Sequence, residues 1–157
     1  MQLDGRELRN ALGRFATGVC LITTVNEEGE ALALTANSFS SVSLDPPLVL
    51  WSLQNNSDVY HIYSGAKRYA INVLSDGQQE LSNRYARKGD HGLEAGHYRM
   101  GDSGAPIIEG ALLSLECSLE AAHPGGDHII LVGRVEGVHL AEGDPLLFYG
   151  GAYRALA

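Results

Sequence analysis

The run Leu113-Ser114-Leu115-Glu116-Cys117-Ser118-Leu119-Glu120 alternates apolar and polar residues without a break. Side chains two apart share a face only in a β-strand, so this run predicts a strand with one dry face and one wet face. His123-Pro124-Gly125-Gly126-Asp127 is turn chemistry, and His128–Leu140 returns as a partner strand. Gly133 and Gly137 inside it mark a bulge or a close approach. A pair of this kind belongs to an antiparallel sheet, and the rest of the chain must supply further strands to it.

Those strands are legible on both sides. Asp4-Gly5-Arg6-Glu7 has capping-box spacing, and Leu8, Leu12 and Phe15 then form one apolar face of a short helix. Val19–Val25 is β-branched and predicts a strand; Asn26-Glu27-Glu28-Gly29 turns it back into Glu30–Thr35. Leu48-Val49-Leu50-Trp51 reads as a central strand buried on both faces, and Tyr69–Leu74 as another. Asn56 or Ser57 caps a short helix carrying Val59, Ile62 and Tyr63; Ser75 or Asp76 caps a second, from Gln78 to Arg87, with Leu81 and Tyr85 inward. Residues 89–105 are glycine-rich and predict a long, mobile surface excursion. Leu146–Tyr149 is a last strand. The expected total is six or seven strands and two or three short helices. Strands do not alternate with long helices, so the expectation is a mainly β fold, an antiparallel barrel with helices plugging its ends.

At 157 residues the chain fits a single domain, expected to span 1–157. A formal net charge of −8 disfavours nucleic acid and anionic membrane as partners. No apolar stretch approaches the roughly 20 residues of a membrane span, and the N-terminus has no signal-peptide pattern. Cys20 and Cys117 lie far apart in apolar runs and read as buried thiols of a reducing compartment, which points to the cytoplasm. The chain has no G-x-G-x-x-G, P-loop or G-x-S-x-G, and its histidines lack zinc-site companions; His123 and His128 read as turn residues, so no metal is expected.

The stretch Leu34–Pro47 stands out. It is rich in small hydroxyl groups yet lacks glycine, and Ala36, Phe39, Val42 and Leu44 are placed to anchor it to a core. An ordinary turn-rich connection is the plain alternative. Anchored hydroxyls and N–H groups make a fixed rim for a polar, planar or phosphorylated ligand.

Phe15-Ala16-Thr17-Gly18, Thr35-Ala36-Asn37-Ser38-Phe39-Ser40-Ser41-Val42-Ser43, Asp45-Pro46-Pro47-Leu48, Asn72-Val73-Leu74 with Gln79, Gly126-Asp127-His128, and Pro145-Leu146-Leu147 with Tyr153 occur in this order. Together, from about residue 6 to 156, they resemble the flavin reductase-like family, the small NAD(P)H:flavin oxidoreductases that serve two-component monooxygenases. The sequence departs from that pattern at Ala33, usually Gly; at Tyr85, usually Phe; and in 89–105, which lacks the expected aromatics.

The resemblance implies an antiparallel Greek-key split β-barrel that binds FMN, a homodimer with flavin near its interface, NADH or NADPH as co-substrate, and a monooxygenase receiving reduced FMN or FAD. It places Thr35, Ala36, Asn37 and Ser38 along the isoalloxazine and ribityl groups, and Ser40 and Ser41 toward the phosphate. Asn56 and Ser57 would offer N–H groups to an anion, Arg84 a phosphate cation, and Ser52 and Tyr153 further contacts. Fold and flavin alone leave two other functions open: a flavoprotein oxidase or oxygenase with its own substrate, and a non-catalytic flavin- or heme-binding protein. His128, at a strand start after Gly126-Asp127, is the candidate catalytic residue; it is expected at the barrel mouth, with Ile130 and Val132 pointing to the core.

Overall fold

The structure is a computed structural model and describes residues 2–157. The strands are β1 (Thr17–Gly18), β2 (Cys20–Val25), β3 (Ala31–Ala36), β4 (Ser40–Leu44), β5 (Pro47–Gln54), β6 (Arg68–Val73), β7 (Tyr98–Met100), β8 (Pro106–Ile108), β9 (Leu113–Gly125), β10 (His128–Leu140), β11 (Leu147–Tyr149) and β12 (Ala152–Arg154). The helices are α1 (Gly5–Leu12), α2 (Tyr60–Ser64) and α3 (Gln79–Arg84), with a 3-10 turn at Asp76–Gln78. Seven strands form one antiparallel sheet in the order β3-β2-β6-β9-β10-β5-β4. Its two edge strands, β3 and β4, are consecutive in sequence but not hydrogen-bonded to each other, so the barrel is split there. The remaining strands are short pairs laid on that sheet: β1-β11-β12 and the β7–β8 hairpin.

Trp51, Tyr63 and Tyr69 fill the barrel interior with Ile22, Cys117 and Leu131. Trp51 meets Tyr63 edge-on, with centroids 5.7 Å apart, the geometry that aromatic quadrupoles favour. β9 and β10 break register between Val132 and Gly133 and between Val135 and Gly137, as the two glycines suggest. Both are also close approaches. A Cβ at Gly133 would overlap the Tyr69 hydroxyl, and one at Gly137 would lie 3.0 Å from a carboxylate oxygen of Glu116.

Several expectations need correction. Ser114 and Glu116 are buried, so β9 has no wet face at that end. The β7–β8 hairpin covers them, and their polar atoms are satisfied there: Ser114 donates to Asn72 Oδ1 at 2.7 Å, and Ser103 donates to Glu116 from both its hydroxyl and its N–H. Residues 89–105 are accordingly no loose excursion. Ala33 N–H donates to the His91 carbonyl and Leu93 N–H to that of Ala31, which seats the segment on the free edge of β3. His91 itself is buried, with its ring nitrogens 3.0 Å from Ala33 O and 3.1 Å from Asp58 Oδ1.

The proposed loop 34–47 is half strand. Ser40–Leu44 forms edge strand β4, and a cis Asp45–Pro46 peptide lies at the turn into β5. Ala36 and Phe39 pack against the core, but Val42 and Leu44 are exposed and anchor nothing. β5 buries Val49, Trp51 and Leu53 on one face, while Leu48 and Leu50 on the other are only half-covered. The apolar face of α1 is also uncovered, with Leu12 66% exposed, and the helix stops at Leu12, so Phe15, 80% exposed, lies beyond it and not on its face. No helix is long and apolar enough to cross a membrane.

Candidate functional site

Where the barrel splits, Asn37–Phe39 crosses from β3 to β4, and side chains hold this crossing in place. The Ser38 hydroxyl donates to the Ser52 carbonyl at 3.0 Å and accepts from the Ser52 N–H at 2.9 Å, so one side chain imitates a rung of the ladder with β5. The Thr35 hydroxyl donates to the Ser82 carbonyl at 2.7 Å, and its N–H donates to the Tyr85 carbonyl. Both hydroxyls are spent on scaffolding. By contrast, the backbone N–H groups of Asn37, Ser38 and Phe39 have no acceptor among the described residues. A rigid backbone with unspent donors is what an electron-rich ligand edge requires.

These residues wall a cleft of about 310 Å³, at the small end of ligand sites. Thr35, Ala36, Asn37 and Ser38 form one side, and Trp51 to Gln54 of β5 the other. Ser57, Ala86 and His128 close it. No carboxylate, lysine or arginine lines it.

β10 pairs with β5 so that His128 stands opposite Gln54 and Ile130 opposite Ser52. Directly opposed side chains share a face, so His128, Ser52 and Gln54 lie together on the cleft side. This corrects the assignment of Ile130 and Val132: Leu131 and Ile129 enter the core instead, and the two calls are one residue out of phase. His128 Nδ1 lies 2.7 Å from Asp127 Oδ1. The hydrogen bond from that ring holds the Asp127 carboxyl below its usual range. Donation from Nδ1 leaves Nε2 uncommitted. Asn55 fixes the turn before His128, its N–H donating to the Asp127 carbonyl and its side chain to that of Gly126.

Other candidates fall elsewhere. Ser40 and Ser41 are exposed on β4 and outside the cleft wall; the Ser40 hydroxyl donates to the Ser41 carbonyl. Asn56 is also outside it and caps nothing: Val59 occupies the N-cap position of α2, and Ser57 Oγ accepts from the Val59 N–H at 3.3 Å. Arg84 is not free to meet a phosphate. It pairs with Asp90 at 3.3 Å and Glu94 at 3.2 Å and lies over the Tyr85 ring, tethering the 89–94 segment. Tyr153 borders a smaller adjoining cavity with Thr35, Ala36 and Asn37, its hydroxyl 2.7 Å from Ser82 Oγ. Sequence reasoning missed Asn55, Gln54, Trp51 and Ala86. Only Asn55 carried a signal, as a turn-forming residue in Gln54–Asp58; Gln54 and Trp51 are ordinary strand residues that pairing brings to the site, and Ala86 is an exposed residue in the turn after α3.

The unspent N–H groups and the carboxylate-free walls suit a flat ring system with polar, electron-rich edges, as an isoalloxazine has. A split antiparallel barrel with a pinned crossing over an uncharged cleft is thus a cofactor-binding barrel. Comparison with known proteins narrows the class. Residues 12–157 match the family described as "Flavin reductase like domain". The chain is 46% identical to the FMN reductase (NADH) SmoA of Agrobacterium fabrum, over 96% of this chain and 85% of that protein. It is 40% identical to the reductase component of the flavin-dependent trigonelline monooxygenase of Acinetobacter baylyi, over 94% of this chain but only 48% of that longer protein. The structure of flavin reductase PheA2 in its native state superposes with a TM-score of 0.91 at 38% identity, over 99% of both chains. The chain belongs to the flavin reductase-like family.

Proposed function

We propose that this protein, acting as one domain over residues 1–157, is an NADH-dependent flavin reductase that accepts FMN or FAD and supplies reduced flavin to a partner monooxygenase. The observation that carries the reading is the cleft: a rigid crossing with unspent N–H donors, free of carboxylates, in a chain akin to an FMN reductase and to a monooxygenase reductase component. The chemistry that the cofactors supply when bound is hydride transfer from nicotinamide C4 to flavin N5. The chain's part is to bind, orient and exclude water. The N–H groups of Asn37 and Ser38 would hold the ring's polar edge and stabilise negative charge there without offering a titratable proton. Thr35, Ala36, Ser38, Ser52 and Ser57 shape the walls. His128, its tautomer set by Asp127, presents Nε2 to the nicotinamide half.

Exposed apolar side chains on α1 and β4 support a homodimer with a closed two-fold interface, and two unpaired buried cysteines support a reducing, cytoplasmic setting. NADH oxidation followed with free FMN, with free FAD and with no added flavin tests the central reading; absence of flavin binding at tens of micromolar overturns it. His128→Ala should lower kcat/KM for NADH about tenfold with flavin affinity little changed. Equal efficiency in the folded variant removes His128 from the reaction.

A further inference from the structure

Ser57, before α2, and Ala86, after α3, belong to separate segments that help to close the cleft. One carboxylate joins those segments. Asp58 follows Ser57; its Oδ2 accepts from the Gly89 N–H, and its Oδ1 lies 3.1 Å from His91 Nε2. Among the described residues these are the only hydrogen bonds between 55–59 and 85–92. The other ring nitrogen, Nδ1, lies 3.0 Å from the carbonyl of Ala33, which precedes Leu34 of the cleft wall. A carboxylate and a carbonyl can only accept. The His91 ring therefore donates to one of them in either neutral tautomer, and to both when it carries two protons.

Local structure does not account for this use of Asp58. It directly precedes Val59, the N-cap of α2, yet its carboxylate is spent on Gly89 and His91 and not on the helix. The 89–94 segment, for its part, is seated without Asp58. Ala33 N–H donates to the His91 carbonyl, Leu93 N–H donates to that of Ala31, and Arg84 pairs with Asp90 and Glu94. Asp58 is a further tie, and the one that reaches the segment carrying Ser57. Burial pushes its carboxyl up, but the hydrogen bonds from Gly89 and His91 outweigh that and hold it below its ordinary value of 3.8, so it stands as an ionised acceptor. The Glu116–His139 pair, by contrast, lines no part of the cleft.

We propose that Asp58 is a positioning residue of the cleft: through Gly89 and His91 it fixes the Ser57 and Ala86 segments at the spacing that a flavin ring requires. This rests on the flavin reductase reading and adds to it a residue that serves the site without lining it. The crossing from β3 to β4 is pinned by the hydroxyls of Thr35 and Ser38, and Asp58 does the same for the segments that close the cleft. A wall fixed before the ligand arrives spares binding the cost of ordering it. Trp51, the single tryptophan of the chain, belongs to the wall and reports on the cleft whether or not a ligand is bound.

The test compares Asp58→Ala and Asp58→Asn with the wild type by FMN titration, by acrylamide quenching of Trp51 and by urea unfolding. The Asp58 side chain is 28% exposed, so its truncation opens no cavity in the core. Asp58→Ala removes both acceptor oxygens. It should raise the Kd for FMN about tenfold in the folded protein and leave Trp51 more open to acrylamide. Asp58→Asn keeps an acceptor for the Gly89 N–H and brings a donor for the ring nitrogen, so it should recover most of the affinity. If Asp58 serves stability alone, Asp58→Ala lowers the urea midpoint while FMN affinity and Trp51 quenching match the wild type, and that result overturns the proposal. An Asp58→Asn variant as weak as Asp58→Ala overturns it too, because the hydrogen bonds would then not be what the carboxylate contributes. Failure of the wild type to bind FMN would instead bring down the reading of the cleft, and Trp51 quenching in Asp58→Ala would still decide whether Asp58 fixes the wall.

Discussion

Two polar regions flank the same sheet and are built to opposite rules. Under the β7–β8 hairpin every polar group is consumed. Asn72, fully buried, donates to the Leu21 carbonyl and to Thr23 Oγ1, and accepts from the Ile108 N–H and the Ser114 hydroxyl. Glu116 accepts from Ser103 at 2.9 and 2.6 Å and faces His139 Nε2 at 2.8 Å. At the cleft, the Thr35 and Ser38 hydroxyls are likewise consumed, but the backbone donors of Asn37–Phe39 and one nitrogen of His128 are left over. The first region converts polar groups into stability. The second uses them to immobilise other polar groups that stay unspent for a ligand.

The contrast is broken most severely at Asn72. Asn72→Leu fills the space but strands the Ile108 N–H, the Ser114 hydroxyl and the Leu21 carbonyl. It should cost about 3 kcal/mol, read from the urea midpoint, since each buried unpaired group costs about 1–3 kcal/mol. Flavin affinity in the remaining folded protein should hold. A loss below about 1 kcal/mol would mean that the hairpin is held by its apolar contacts alone.

Glu116 gives the next largest effect, and it depends on pH. Burial pushes its carboxyl up, but hydrogen bonds from Ser103 and His139 outweigh that and hold it below its ordinary value of 4.5. A folded-state value below the unfolded one means that the charged form stabilises the fold above 4.5, and that this contribution is lost as pH falls through the lower folded value. Glu116→Gln should therefore unfold at lower urea than the wild type at neutral pH, with the gap closing in acid. A gap that does not change with pH would show that the charge contributes nothing.

The sequence displayed these two regions unequally. Period-2 alternation exposed β9, turn chemistry exposed the β9–β10 hairpin, and the register breaks were written as Gly133 and Gly137. The order of the main sheet was not readable, because pairing partners come from distant segments. Alternation also misled at Ser114 and Glu116: polar residues at every second position mean water only if nothing lands on that face, and the hairpin that lands there arises from 98–108, whose glycines read as looseness. At the cleft, the hydroxyl-rich run drew attention to the right residues for partly the wrong reason. Thr35 and Ser38 spend their hydroxyls on holding the backbone, and the donors left unspent in the crossing are backbone N–H groups. Arg84 looked like a free cation because Asp90 and Glu94 lie in a segment that no local rule folds back onto it.

That distinction sharpens at Ser38. If its hydroxyl is scaffold, Ser38→Ala should cost about 1–2 kcal/mol of stability by leaving the Ser52 N–H and carbonyl without their partner. Flavin affinity should fall about tenfold through loss of order in the crossing. If the hydroxyl instead served the ligand alone, affinity would fall with no change in unfolding midpoint, and denaturation followed beside flavin titration separates the two.

The smallest effect is expected a few residues on, and it decides where the site ends. Ser40 and Ser41 belong to the same hydroxyl-rich run but sit exposed on edge strand β4, where no core contact fixes them and Ser40 bonds only the neighbouring carbonyl. Truncating an exposed hydroxyl that supports nothing changes stability by less than about 0.5 kcal/mol. Ser41→Ala should thus match the wild type in both unfolding midpoint and flavin titration. Ser41→Asp adds a negative charge on that edge and serves as the sensitive probe. If a flavin phosphate lies near β4, repulsion weakens FMN severalfold, and the effect fades as salt screens it. If the phosphate lies elsewhere, the two variants behave alike. A weakening already present in Ser41→Ala would extend the site along β4 and erase the boundary drawn here between the pinned crossing and the open edge.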